Sequence, residues 1–220
     1  MKKVAVILCG SGYRDGSEIR ESVAVLWALS REHAQVQCFA PDAPQADVVN
    51  CLTGELVASE NRNMLVESAR IARGEVKPLS QLNVSEFDAL IIPGGFGAAK
   101  NLCNFASKGS QGTVRSELEK IIHGFFEKKK PIGAICIAPA ILALALRDKK
   151  LTLTVGESGE TAQEIEKCGH HHKATKVTEC QVDSKNMIVT TGAYMFGSAA
   201  LHDIFTGIQN CVQGVLKLTS

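Results

Sequence analysis

The chain has 220 residues, 45% of them hydrophobic, and a formal net charge of +1. That length and apolar content can bury a full core, and they predict one domain spanning residues 1–220. Near-neutral charge with scattered lysine and arginine excludes a nucleic-acid surface, and no apolar run is long enough to cross a membrane.

Met1-Lys2-Lys3 leads into Val4 to Leu8, too short for a signal core and read instead as a first strand, which gives a cytoplasmic expectation. Ser17 to Arg31 is predicted as an amphipathic helix burying Ile19, Val23, Leu26, Trp27 and Ser30. Ala34 to Phe39 is a second strand, 41–61 is polar and irregular, and Met64 to Ala72 is helical up to Gly74. Asp88 to Ile92 is a buried strand that stops at Pro93-Gly94-Gly95-Phe96-Gly97. Helices follow from about Ala98 and from Thr113 to Glu127, where Lys128-Lys129-Lys130 reads as a solvated helix end.

Next comes an apolar strand from Pro131 to Ile135, then Cys136, then an apolar helix through Leu144. Leu151 to Val155 is a short strand, and Glu160 to Lys167 a helix ending at Gly169. Val177 to Val182 and Met187 to Thr191 form a hairpin, and Ala199 to Leu218 a final helix. Alternating strands and helices predict a mainly parallel sheet, extended antiparallel by the hairpin, with helices on both faces.

Cys136 is where a nucleophile would sit. Pro139 is tolerated only in a first helical turn, so the thiol lies beside a helix N-terminus, where unpaired amides and the helix dipole favour thiolate. In a parallel sheet, ligands bind beyond the carboxyl ends of the strands. The loop Cys9 to Gly16, the glycine run 93–97 and Cys136 all converge on that edge. The glycines can aim backbone N–H groups at an oxyanion. Glu18 and Glu21 share a helical face: Glu18 reads as completing a capping box with Asp15, and Glu21, a turn deeper, as the acid/base. Cys9 reads as a buried strand-end thiol.

Several chemistries are disfavoured. The third glycine of Gly10-Ser11-Gly12-Tyr13-Arg14-Asp15-Gly16 falls one position late for a dinucleotide fingerprint, so no nicotinamide or flavin cofactor is expected. His170-His171-His172 reads as exposed loop and not as a metal site. The eight cysteines include no Cys-x-x-Cys pair and are expected to be reduced thiols, with no structural zinc. Ile137, not histidine, follows Cys136, and no His-x-Glu occurs downstream. Amide cleavage therefore lacks its general acid, and an aldehyde is the easier substrate for cysteine plus glutamate.

Asp15-Gly16-Ser17-Glu18-Ile19, Phe39-Ala40-Pro41-Asp42, the run Pro93 to Leu102, Cys136-Ile137-Ala138-Pro139 and Thr190-Thr191-Gly192-Ala193-Tyr194-Met195 together resemble the ElbB-like branch of the PfpI superfamily, the class I glutamine-amidotransferase-like proteins. The resemblance implies a flavodoxin-like three-layer α/β/α sandwich, a homodimer, and a strained cysteine at a strand-to-helix turn. It implies Cys136 and Glu21 as catalytic residues and Gly94, Gly95 and Ile137 as oxyanion-binding. It also implies cofactor-free glyoxalase activity on a small dicarbonyl, glyoxal to glycolate. Older naming ties such proteins to isoprenoid biosynthesis, which nothing in these residues supports. Two alternatives stand beside it: a non-catalytic redox sensor in which Cys136 oxidises to a sulfinic acid, and an amidotransferase-like subunit acting on a partner.

Overall fold

A computed structural model describes residues 1–219. In chain order its elements are β1 (Lys3–Ile7), α1 (Ile19–Arg31), β2 (Gln35–Ala40), α2 (Met64–Ala72), β3 (Val76–Pro78), β4 (Ala89–Ile92), α3 (Phe96–Lys100), α4 (Phe105–Lys108), α5 (Ser116–Glu127), β5 (Ile132–Ile135), α6 (Pro139–Ala145), β6 (Thr152–Leu153), α7 (Glu160–Lys167), β7 (His171–His172), β8 (Gln181–Asp183), β9 (Ile188–Thr191) and α8 (Leu201–Leu218).

Among the described residues, seven strands make one sheet in the order β3-β2-β1-β4-β5-β9-β8. All pairs are parallel except β8 with β9. The chain leaves β1 for β2 on one side and returns to β4 on the other, so the strand order reverses between β1 and β4. That switch point is where a parallel sheet opens a crevice for ligands.

Strand alternation divides the core between the two faces. Ala5, Ile7, Leu90 and Ile92 pack with Phe125 and Leu142 from α5 and α6. Val4, Val6, Ala89 and Ile91 pack with Val25 and Leu29 of α1 and Ile208 and Val212 of α8. Helices on both faces of a mainly parallel sheet give the three-layer flavodoxin-like arrangement the sequence predicts.

Several expectations are corrected. The α1 face is mis-phased: the helix buries Glu21, Ser22, Ala24, Val25, Ala28 and Leu29. Ile19, Val23 and Trp27 stay more than 40% exposed. Small Ser22, Ala24 and Ala28 let α1 lie close to the sheet, a fit its bulkier stripe would prevent. Trp27 instead packs beside Phe205 of α8, with ring centroids 6.2 Å apart. The strand expected over 151–155 shortens to β6, which pairs with β7 outside the main sheet. The three-residue edge strand β3 carried no apolar pattern and was not predicted.

The histidine tract is not exposed loop. His170 and His172 are buried, with only His171 outward. His170 Nδ1 accepts from the Leu151 amide at 3.2 Å, and its Nε2 lies 3.0 Å from the Ala143 carbonyl. His172 Nε2 accepts from the Val155 amide at 3.3 Å. Burial holds both imidazoles below their ordinary pKa, so they serve as neutral struts between β6, β7 and α6.

Lys130 likewise departs from the solvated-end reading. Its ammonium donates to the carbonyls of Val84, at 2.8 Å, and Phe87. It thereby ties the entry to β5 onto the turn before β4. Lys130→Met is expected to cost about 1–2 kcal/mol in chemical denaturation, the worth of charged hydrogen bonds at a partly wet site. Lys128→Met and Lys129→Met should each stay within about 0.5 kcal/mol.

Candidate active site

The parallel strands end along one edge, and the site is assembled from the turns that leave them. Cys136 directly follows β5 and has φ +61°, a left-handed conformation that a non-glycine residue holds only when its surroundings enforce it. Its amide donates to the Thr191 carbonyl at the end of β9 (2.9 Å), and Pro139 then opens α6. A strand, a one-residue reversal and a helix thus turn the sulfur toward the crevice.

Glu21 reaches the same point from α1. It is fully buried. Its Oε2 accepts from the Gly94 amide at 3.0 Å and its Oε1 from the Tyr194 amide at 3.1 Å, which sets the carboxyl beside Cys136. Two backbone donors from two different turns hold the carboxyl against the sulfur. Since Gly94 spends its N–H on Glu21, it is not a free oxyanion donor, contrary to the sequence reading. The amides that face the Cys136 sulfur are those of Gly95 and Ile137.

Glu18 is not part of a capping box with Asp15. The helix starts at Ile19, so Glu18 is itself the N-cap, and its Oε2 accepts from the Glu21 amide at 2.6 Å. Asp15 is buried elsewhere, accepting from the Val49 amide at 2.9 Å. Cys9 is fully buried beside Ser17, and desolvation pushes its thiol up to about 12. All eight cysteines are free thiols.

The surroundings of Cys136 work against the expected standing thiolate. Burial, with the Glu21 carboxyl next to it, pushes the Cys136 thiol well above its ordinary 9.0, against the pull of the Gly95 and Ile137 amides. Burial also raises Glu21 to about 8, and the nearby Glu18 charge adds to the rise. Both shifts favour the neutral thiol and the neutral carboxyl over their charged forms. Desolvation outweighs the field of α6, which is only seven residues long and begins three residues beyond the sulfur.

Above Cys136 lies a cavity of about 360 Å³ whose walls include Tyr13, Phe96, Tyr194, Met195 and Glu18. No histidine lines it among the described residues. A second hollow of about 590 Å³ adjoins it across Phe96, Ile137 and Thr161. The sequence reading missed Tyr194 and Met195. Its one available signal was Gly192-Ala193-Tyr194-Met195 directly after a buried strand, a position that places a turn at the ligand edge.

Residues 2–196 match the sequence profile of the DJ-1/PfpI family. The chain belongs to that family. DJ-1/PfpI proteins include cysteine-based enzymes and stress proteins. Similar members include the human "Glutamine amidotransferase-like class 1 domain-containing protein 3, mitochondrial", 45% identical over 99% of this chain and 83% of its own length. The rat "ES1 protein homolog, mitochondrial" is also 45% identical, over 99% of this chain and 84% of its own length. Among solved structures, an isoprenoid biosynthesis protein with an amidotransferase-like domain from Ehrlichia chaffeensis superposes with TM-score 0.93 at 39% identity, over all of both chains.

Names that place those relatives in the mitochondrion overturn the cytoplasmic expectation. That expectation took Met1 as leading directly into the first strand, with neither a signal core nor a transit segment before it.

Proposed function

We propose that this DJ-1/PfpI protein is a single-domain, cysteine-dependent enzyme that converts a small dicarbonyl of the glyoxal type to its 2-hydroxy acid. The reading is carried by one observation: a carboxyl with both oxygens held by backbone amides sits beside the only thiol lining the cavity among the described residues. In the competent state Glu21 is ionised and Cys136 is protonated. As sulfur bonds to one carbonyl carbon, the thiol proton passes to Glu21, and the Gly95 and Ile137 amides hold the alkoxide. Glu21 protonates that alkoxide to give a hemithioacetal. It then removes the carbinol C–H proton and returns it to the adjacent carbon through an enediol-like state, leaving a 2-hydroxy thioester. Water adds to the thioester, and the C–S bond breaks to release acid and thiol. Glyoxal plus water becomes glycolic acid, with no external oxidant or reductant.

The oxidation-sensor alternative is less favoured, because peroxide attacks thiolate and burial disfavours the ionised form of Cys136. Amide hydrolysis is disfavoured by a cavity wall without an imidazole. The same reading takes the enzyme as a homodimer, supported by the apolar stripe Ile19, Val23 and Trp27 that α1 leaves exposed.

Carbon-13 glyoxal followed by NMR is the direct test. Glycolate is expected to accumulate with the native protein, and to fall at least about 100-fold with either Cys136→Ala or Glu21→Gln. Equal glycolate yield from either variant overturns the mechanism.

A further inference from the structure

The proposed carbonyl chemistry leaves open which carbonyl compounds enter, and Glu18 addresses that question. Among the described residues, Glu18 is the one carboxyl side chain lining the Cys136 cavity; burial raises its pKa, against the pull of the Glu21 amide and the Arg20 charge. Its carboxylate is pinned: Oε2 accepts from the Glu21 amide at 2.6 Å. Its own amide donates to the Gly94 carbonyl at 3.0 Å. Helix start and glycine turn together fix the charge at the mouth, where side-chain rotation cannot carry it away.

Cations stand nearby, and none lines the cavity. Arg20 Nη1 donates to the Tyr194 hydroxyl at 3.0 Å from an exposed position. Arg14 stacks on Tyr13, 5.0 Å from the ring centroid. Lys100 is bound to Asp47 at 2.7 Å. The Arg20 charge acts on Glu18 and favours its ionised form. Tyr13, Phe96, Tyr194 and Met195 give the wall aromatic and apolar faces, which accept neutral or cationic groups more readily than anions; its polar groups besides Glu18 and Cys136 are Thr161 and the Gly95 and Ile137 backbone beside the sulfur.

We propose that Glu18 is a specificity residue that admits neutral or ammonium-bearing carbonyl compounds to Cys136 and turns away 2-oxo carboxylates. The inference rests on the same cavity as the proposed function and is read out without turnover.

The test uses two alkylating agents of nearly equal size, neutral iodoacetamide and anionic iodoacetate. Rates are followed by mass spectrometry on the peptide containing Cys136 and divided by those of N-acetylcysteine, which removes intrinsic reactivity. The native protein is expected to prefer iodoacetamide by about tenfold beyond the free thiol, the effect of one partly screened charge. Glu18→Gln keeps an oxygen for the Glu21 amide and should bring that preference within about threefold of the free thiol. In the native protein, raising salt from about 0.02 M to 0.5 M should shrink it in the same direction. This salt arm needs no variant and survives any folding defect in Glu18→Gln. A native preference equal to that of the free thiol, or one unmoved by both salt and Glu18→Gln, overturns the proposal. Absence of glyoxal turnover with the preference intact would overturn the glyoxalase reading alone.

Discussion

Alkylation of Cys136 by iodoacetamide is expected to accelerate about tenfold per pH unit from pH 6 and to level off near the Glu21 value of about 8. The pair must lose one proton before sulfur can react, and Glu21 is the group that loses it first. Glu21→Gln removes that step, so the inflection should disappear and leave the thiol titrating alone. Stability should show the same linkage from the other side. Buried Glu21 keeps its proton up to about 8 when folded, against 4.5 when unfolded. Its contribution is fully present below about pH 4.5 and is lost as the pH climbs toward 8, a change on the order of a few kcal/mol. Thermal unfolding of native protein and Glu21→Gln at pH 5 and pH 8 should therefore diverge, with the native protein losing more on going to pH 8. A parallel fall in both proteins would place the carboxyl's titration elsewhere.

Gly95→Ala is expected to cost about 3 kcal/mol or more in chemical denaturation and to abolish Cys136-dependent turnover. Gly95 has φ +97°, and a Cβ there would lie 2.5 Å from the Gly16 carbonyl oxygen and 2.9 Å from the Ser17 carbonyl carbon. Both are backbone atoms that can move only if the loop after β1 moves. That loop is clamped to the glycine turn by Glu18 N to Gly94 O and Gly97 N to Gly16 O, each 3.0 Å. Two other glycines separate the causes. Gly74 has φ +87° with open space around it, so Gly74→Ala should cost only about 1 kcal/mol of backbone strain. Gly159 has open space and extended backbone, and Gly159→Ala should be near neutral.

What could be read from the sequence was local. An apolar strand, one cysteine and a proline three residues later fix a strand-to-helix junction at Cys136 without knowledge of any distant contact. Gly94, Gly95 and Gly97 likewise announce a turn at the ligand edge. The rest depended on long-range geometry. Whether α1 buries Val25 or Val23 is decided where Glu18 meets Gly94, residues far apart in the chain. Gly94 was assigned to an oxyanion because the acceptor of its amide, Glu21, could not be placed until α1 was docked. The ionisation of Cys136 was misread for a related reason: a helix start is visible in sequence, while the desolvation that outweighs it comes from every element packed around the sulfur. Three adjacent histidines suggested solvent, yet alternation in β7 turns His172 inward, and His170 finds Leu151 and Ala143.

The sheet's two outer strands limit how copies of this chain can meet. β3 and β8 are three residues each, the first ending in Pro78, which offers no N–H, and the second in Asp183, whose carboxylate is occupied by the Thr152 amide at 2.8 Å. Neither border is a long, flat template for strand addition, so crowding should not drive this protein toward fibrils through its native sheet.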